Sequence, residues 1–171
     1  MKTILQLILP CLALLLGIYT CEQEKSSTGL PSGNLDKISE CKEFKSTAAW
    51  ESTADSLSCI EYFYDAENSQ LLLKHINAGF NCCPEKILGD IRFVNDTIII
   101  KESEKDGMCD CLCLYDLEFK LTGISEKVYS VRLNELYAGD QEKFTVSIDL
   151  AVNTSGSFCV VRKEYPWGLH N

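Results

Sequence analysis

Cys109-Asp110-Cys111-Leu112-Cys113-Leu114-Tyr115-Asp116-Leu117-Glu118-Phe119-Lys120-Leu121 decides the reading of the chain. Read in steps of two, Cys109, Cys111, Cys113, Tyr115, Leu117, Phe119 and Leu121 fall on one side of a strand, and Asp110, Asp116, Glu118 and Lys120 on the other. Alternate side chains of a strand point to opposite faces, so the thiols, the aromatics and the leucines should face a core while the charges face water. Only Leu112 and Leu114 break the alternation. A strand of about 13 residues is longer than usual, so it should bend, change neighbours along its length or serve two sheets.

The runs around it are also β. Cys59 to Tyr64 is rich in strand formers and ends in the turn Asp65-Ala66-Glu67-Asn68. Gln70 to Ile76 gives a second run. Ile87 to Val94 alternates and meets Thr97 to Ile100 through Asn95-Asp96, a hairpin signal. Lys127 to Leu136, Lys143 to Val152 and Ser157 to Tyr165 follow, the last stopped by Pro166. Eight or so strands without βαβ alternation predict an all-β, two-sheet antiparallel sandwich. Tyr129, shortly after Thr122-Gly123-Ile124, resembles the tyrosine corner of immunoglobulin-like domains; a plain hairpin with a core tyrosine is the other option. In 36–56, Ser39 could cap a short helix carrying Phe44, Ala48 and Ala49, or the segment could be irregular.

The N-terminus carries an apolar block from Ile4 to Ile18 behind Lys2, too short for the about 20 apolar residues of a membrane-spanning helix, and reads as a secretory signal peptide over 1–20. Ile18-Tyr19-Thr20-Cys21 resembles the lipobox of bacterial lipoproteins, with Thr20 where a smaller residue usually stands. On this reading Cys21 is lipidated and anchors the chain to a membrane. Residues 21–35 read as a flexible tether and 36–171 as a single domain. The acidic Glu22-Gln23-Glu24 resembles signals that send some lipoproteins to the cell exterior. Loss of the signal removes Lys2 and moves the net charge from −9 to −10. Such a chain suits neither nucleic acid nor anionic headgroups, whose recognition leans on Lys and Arg.

Of ten cysteines, Cys11 falls in the signal and Cys21 at the lipid site, leaving Cys41, Cys59, Cys82, Cys83, Cys109, Cys111, Cys113 and Cys159. An even number in an exported chain points to disulfides. Residues two apart on one strand lie about 6.5–7 Å apart, at or past the limit for a bridge, so Cys109, Cys111 and Cys113 need partners on other segments. Cys82 and Cys83 are the nearest candidates, with Cys41, Cys59 and Cys159 to supply the rest, but eight cysteines allow on the order of a hundred connectivities. The alternative is a thiolate site for zinc or copper built from Cys82, Cys83, Cys109, Cys111 and Cys113 with His75. Against it, neither cluster has the two-to-four-residue knuckle spacing of structural zinc sites.

Catalysis has little to build on. A cysteine nucleophile needs a base, and His75 and His170 are the histidines available. His75 reads first as a hydrogen-bonded strand residue beside Asn77. There is no Cys-x-x-Cys, no phosphate-cradling glycine loop and no carboxylate pair of the glycosidase kind. Asn95-Asp96-Thr97 and Asn153-Thr154-Ser155 match the N-glycosylation sequon, and Asp55-Ser56-Leu57 and Asp96-Thr97-Ile98 resemble Asp-Ser/Thr-apolar sites glycosylated in some exported bacterial proteins; the plain reading is two turns built from good turn residues.

His75-Ile76-Asn77-Ala78-Gly79-Phe80-Asn81-Cys82-Cys83-Pro84, followed by Cys109-Asp110-Cys111-Leu112-Cys113-Leu114-Tyr115-Asp116-Leu117, resembles an uncharacterised family of bacterial cysteine-rich lipoproteins. The resemblance spans roughly residues 58–135 and implies an exported β domain, with no catalytic residue to carry over. The expected protein is therefore a lipid-anchored, disulfide-supported binding or structural module at the bacterial outer membrane or cell surface, using no cofactor. A protein or glycan would meet it at loops such as Asp65–Asn68 or Ser103–Met108. Metal-thiolate binding is the alternative, and a hydrolase a third reading without a nameable constellation.

Overall fold

The computed structural model describes residues 29–42, 56–107 and 109–163. They form nine strands and no helix: β1 Ser32–Ile38, β2 Leu57–Asp65, β3 Gln70–Asn81, β4 Pro84–Val94, β5 Thr97–Gly107, β6 Leu112–Thr122, β7 Val128–Asn134, β8 Phe144–Asp149 and β9 Ser155–Val161. One sheet has the order β1-β6-β3-β2-β9 and the other β4-β5-β7-β8. The two inner faces close over a core in which Phe80, Leu71, Leu117, Phe119, Leu121, Ile98, Ile100, Val131 and Phe144 are almost fully buried. The molecule is the expected sandwich. One sheet is mixed, because β5 and β7 run parallel, with Ile98 beside Val131 and Ile100 beside Leu133.

The immunoglobulin-like option does not survive the strand order. An immunoglobulin sandwich sorts its strands as first, second, fifth and fourth against third, sixth and seventh, with antiparallel neighbours. Here the sixth strand is central to the first sheet and the parallel β5–β7 pair is central to the second. The tyrosine tie is nevertheless present: the Tyr129 hydroxyl accepts the Ser125 N–H at 3.2 Å, and the Tyr64 hydroxyl donates to the Ile124 carbonyl at 3.0 Å. These bonds satisfy the turn between β6 and β7 from both sheets.

Strand β6 carries the period-two pattern read from the sequence, with Cys113, Tyr115, Leu117, Phe119 and Leu121 buried. It begins at Leu112, not Cys109. Cys109, Asp110 and Cys111 lie where the chain leaves the second sheet at the end of β5 and enters the first, so they do not share a strand face with Cys113. Leu114 is buried although it lies on the charged side, because Lys42 bridges to it there and continues the line of β1. The strand keeps its neighbours along its length, with β3 on one side from Leu112 to Thr122 and, on the other, β1 over Leu117–Thr122 and Lys42 at Leu114.

Three boundaries differ from the sequence reading. Ser32–Leu35, read as tether, belong to the edge strand β1. An edge strand is held by backbone hydrogen bonds on one side and needs few apolar residues, so composition does not reveal it. β3 runs on through Asn77-Ala78-Gly79 to Asn81, because Asn77 takes a positive φ of 64° in a bulge opposite Asp116. Asparagine tolerates that conformation, so a turn-like tripeptide becomes a kink within a strand. Ser103–Gly107, read as loop, extends β5, with Leu88 opposite Ser103 and Pro84 opposite Gly107. The helix proposed around Phe44, Ala48 and Ala49 lies outside the described residues, whereas Ser39 binds the β6 backbone, its hydroxyl accepting the Asp116 N–H at 2.8 Å.

Close approach of the two sheets fixes Gly89. A Cβ there would lie 2.4 Å from a ring carbon of the buried Phe119 and 3.4 Å from the Leu35 Cβ. Gly89→Ala should therefore lower unfolding stability by about 1–3 kcal/mol in urea titration, the usual cost of overpacking. Gly29→Ala, where nothing lies within 4 Å, should change it little.

Candidate functional site

Five polar side chains project into the sandwich from five strands or their continuations. Ser58 follows the inward register of β2, His75 that of β3, Glu102 that of β5, Glu135 the line just past β7, and Arg162 the line just past β9. The side chains of His75, Glu102, Glu135 and Arg162 are 1% exposed or less. His75 Nδ1 lies 2.7 Å from Glu102 Oε1, and His75 Nε2 lies 2.8 Å from Ser58 Oγ. The Ser58 hydroxyl donates to Glu135 Oε1 at 3.1 Å, and the other Glu135 oxygen takes the Arg162 guanidinium. Arg162 also donates to the Glu142 carbonyl. Phe144 packs against both cations, its ring centroid 5.8 Å from that of His75 and 5.5 Å from the Arg162 guanidinium carbon.

Hydroxyl, imidazole and carboxylate at these distances have the layout of a nucleophile, a base and its orienting acid. The chemistry differs in two respects. Ser58 is fully buried and His75 and Glu102 nearly so, which leaves a substrate no approach to the hydroxyl. The imidazole is also in the wrong charge state. Burial lowers its pKa, but Glu102 and Glu135 more than offset this and push it up to about 9. A protonated His75 donates from both nitrogens and cannot accept the serine proton. The Ser58 proton goes to Glu135 instead. The cluster is a charge-balanced bond between sheets: His75 and Arg162 carry two positive charges against Glu102 and Glu135.

The cysteines lie elsewhere. The structure pairs all eight, as Cys41–Cys113, Cys59–Cys159, Cys82–Cys111 and Cys83–Cys109. Three bridges gather where β3 gives way to β4 and β5 to β6, and Cys59–Cys159 ties the edge strand β9 to β2. The set Cys82, Cys83, Cys109, Cys111 and Cys113 is thus fully engaged in disulfides, and His75 is engaged with Ser58 and Glu102. Among the described residues no group of three or more His, Cys, Asp or Glu side chains is placed to hold a metal ion. The lipidation candidate Cys21 lies outside the described residues.

A shallow depression of about 270 Å³ lies on the outer face of the five-stranded sheet, and a wider one of about 460 Å³ lies along β1 and β4. Phe63 and Leu72 are 54% and 41% exposed in the first, between Glu61 and Lys74 and near the Lys37–Glu118 ion pair of 2.8 Å. The Asp65–Asn68 turn is closed on itself: Asn68 bonds both carboxylate oxygens of Asp65 and holds that carboxyl below its ordinary range. Sequence reasoning found His75 but none of its partners. The available signal was parity, since Ser58, Glu102 and Arg162 fall on the inward side of otherwise apolar strands.

No protein-family model, no curated protein and no solved structure matches the chain.

His75 and Glu102 both hold a proton more tightly in the folded chain, Glu102 because burial raises its pKa more than His75 lowers it. The His75 contribution is fully present below the unfolded histidine pKa of about 6.5 and is lost as pH rises through about 9. Thermal unfolding followed by circular dichroism should therefore show Tm falling between those values, and His75→Gln should flatten the slope. Arg162→Met leaves the buried Glu135 with only a share of His75, 3.5 Å away and already bonded to Glu102, and should cost about 3–5 kcal/mol at neutral pH.

Proposed function

We propose that the chain is an exported lipoprotein whose β-sandwich serves as a disulfide-supported binding or structural module of the bacterial cell envelope, held at the membrane by a lipid on Cys21. The observation that carries this reading is the pairing of all eight cysteines beyond the N-terminal apolar block, one bridge joining residues 100 apart in sequence. Disulfides of this kind form and persist in oxidising compartments. The Ile18-to-Cys21 motif supplies the anchor, and the solvent-facing depression around Phe63 and Leu72 supplies a contact surface for a protein or glycan. The charge cluster, sealed inside the sandwich, supports this role by fixing one sheet against the other.

The full-length chain can be expressed in a bacterial host with a lipoprotein pathway and fed an alkyne-tagged fatty acid. The expected result is a labelled, membrane-associated protein whose mature N-terminus is Cys21 and whose other eight cysteines resist alkylation. Cys21→Ala should abolish the label and move the protein out of the membrane fraction. An unlabelled wild-type protein, or a mature N-terminus elsewhere, overturns the anchor, and eight alkylatable thiols in the exported protein overturn the disulfide-supported module.

A further inference from the structure

Two of the four disulfides do the same topological work. Cys82–Cys111 and Cys83–Cys109 join the same two short segments, Cys82-Cys83 on one side and Cys109-Asp110-Cys111 on the other. The first to form closes a loop of nearly thirty residues, with sequence separations of 29 and 26 for the two bonds. The second closes only the small ring between the two segments. Loop-closure entropy grows with the logarithm of loop length, so the second bridge removes little further freedom from the unfolded chain. Cys59–Cys159 and Cys41–Cys113, with separations of 100 and 72, have no such duplicate.

Exposure separates the redundant pair. Cys109 is exposed and Cys83 half-buried, whereas Cys111 and Cys82 are both half-buried and Cys82 packs against the core. The backbones of Cys83 and Cys109 are also held without their sulfurs. The Asn81 side-chain oxygen accepts the Cys83 N–H at 3.0 Å, and its amide nitrogen donates to the Cys109 carbonyl. Gly107 leaves room for this clamp, since a Cβ there would lie 2.7 Å from the Asn81 amide carbon. A reduced Cys83 and Cys109 would stay in register for reoxidation.

We propose that Cys83–Cys109 is a thiol–disulfide exchange site, open to small thiols and to exposed dithiols of other proteins, while the other three bridges are scaffold. The thiolate of an incoming thiol attacks the exposed Cys109 sulfur; the Cys83–Cys109 bond breaks and its electron pair leaves on the Cys83 sulfur. A second thiolate attacks the incoming sulfur of the mixed disulfide and releases Cys109 as thiolate. Two thiols are oxidised to one disulfide, and the protein bridge takes up the two electrons. Exposed disulfides are the ones such chemistry reaches; Cys41 and Cys159 are exposed as well, but their bridges have no duplicate to hold the same segments together when they open.

The test equilibrates the oxidised mature chain with reduced and oxidised glutathione in graded ratios, traps thiols by alkylation and maps them by peptide mass, with circular dichroism in parallel. Cys83 and Cys109 should be labelled at ratios at least tenfold below those that open Cys41, Cys59, Cys113 and Cys159, with the β signal unchanged and a glutathione adduct on Cys109. Labelling of all eight cysteines together with loss of structure overturns the proposal. So does earlier opening of Cys82–Cys111, or no opening before unfolding. The C83A/C109A chain should fold with a smaller fall in Tm than C59A/C159A, and an equal or larger fall refutes the redundancy. Asn81→Ala should slow reoxidation of the reduced pair by removing the clamp, and an unchanged rate refutes its role.

Discussion

Two carboxylates lie inside this sandwich, and each is held against a buried cation. An ionised carboxylate withdrawn from water is tolerated only when a cation and hydrogen bonds replace its hydration. Glu135 has Arg162, the Ser58 hydroxyl and, at 3.5 Å, His75; Glu102 has only His75, one of its oxygens being without a hydrogen-bond partner among the described residues. The charges balance when His75 carries a proton. That balance joins strands that share no backbone ladder, since His75 and Arg162 belong to the β1-β6-β3-β2-β9 sheet and Glu102 and Glu135 to the other. Apolar packing holds the sheets together without choosing a register between them. A directional bond from His75 to Glu102 selects one.

The same arrangement shows why geometry alone does not define a catalytic group. Ser58, His75 and Glu102 meet at contact distances that would serve a nucleophile, yet the second carboxylate changes the roles. With Glu135 beside Ser58, the serine proton has an acceptor better than the imidazole, and the imidazole has two carboxylates to keep it charged. Glu102 does most to hold the proton on the imidazole and Glu135 adds to it, so the cluster is a salt bridge with a hydroxyl inside it. The number of opposing charges, not the spacing, decides the protonation state.

Much of the fold was legible because it rests on period two. The alternation in β6, the Asn95-Asp96 hairpin and the inward side of β2 and β7 follow from side chains pointing to opposite faces. What was not legible depends on tertiary partners. β1 has a burial pattern that is exposed almost throughout, and its identity comes from the β6 backbone beside it. Asn77-Ala78-Gly79 looks like a turn and becomes a bulge because Asp116 accepts the Asn77 N–H. The Cys109 segment alternates as a strand would, but the chain must cross between sheets there, and strand order is not written in periodicity. The charge cluster lies between these cases. All five members can be placed inward by counting in twos from Ile60, Leu73, Ile100, Leu133 and Val160, but that they converge requires knowing how the two sheets face each other.

The two long-range disulfides sit where the ladders are weakest. β9 is an edge strand held through β2 alone, and Cys59 and Cys159 face each other in that pairing. Lys42 continues the line of β1 along the other edge of the same sheet, and Cys41, next to it, is bonded to Cys113 in β6. Edge strands open most readily because half of their backbone groups have no strand to pair with. Each such pairing here brings together segments some 80 to 100 residues apart, so an edge that opens must close a long loop again to return. A covalent bond at the edge removes that step. The inner strands β3 and β6 are paired on both sides and bury Phe80 and Phe119, and they have less need of it. Bridges on both edges, a balanced charge cluster between the layers and an apolar centre divide the stabilisation by location, each device placed where the other two are weakest.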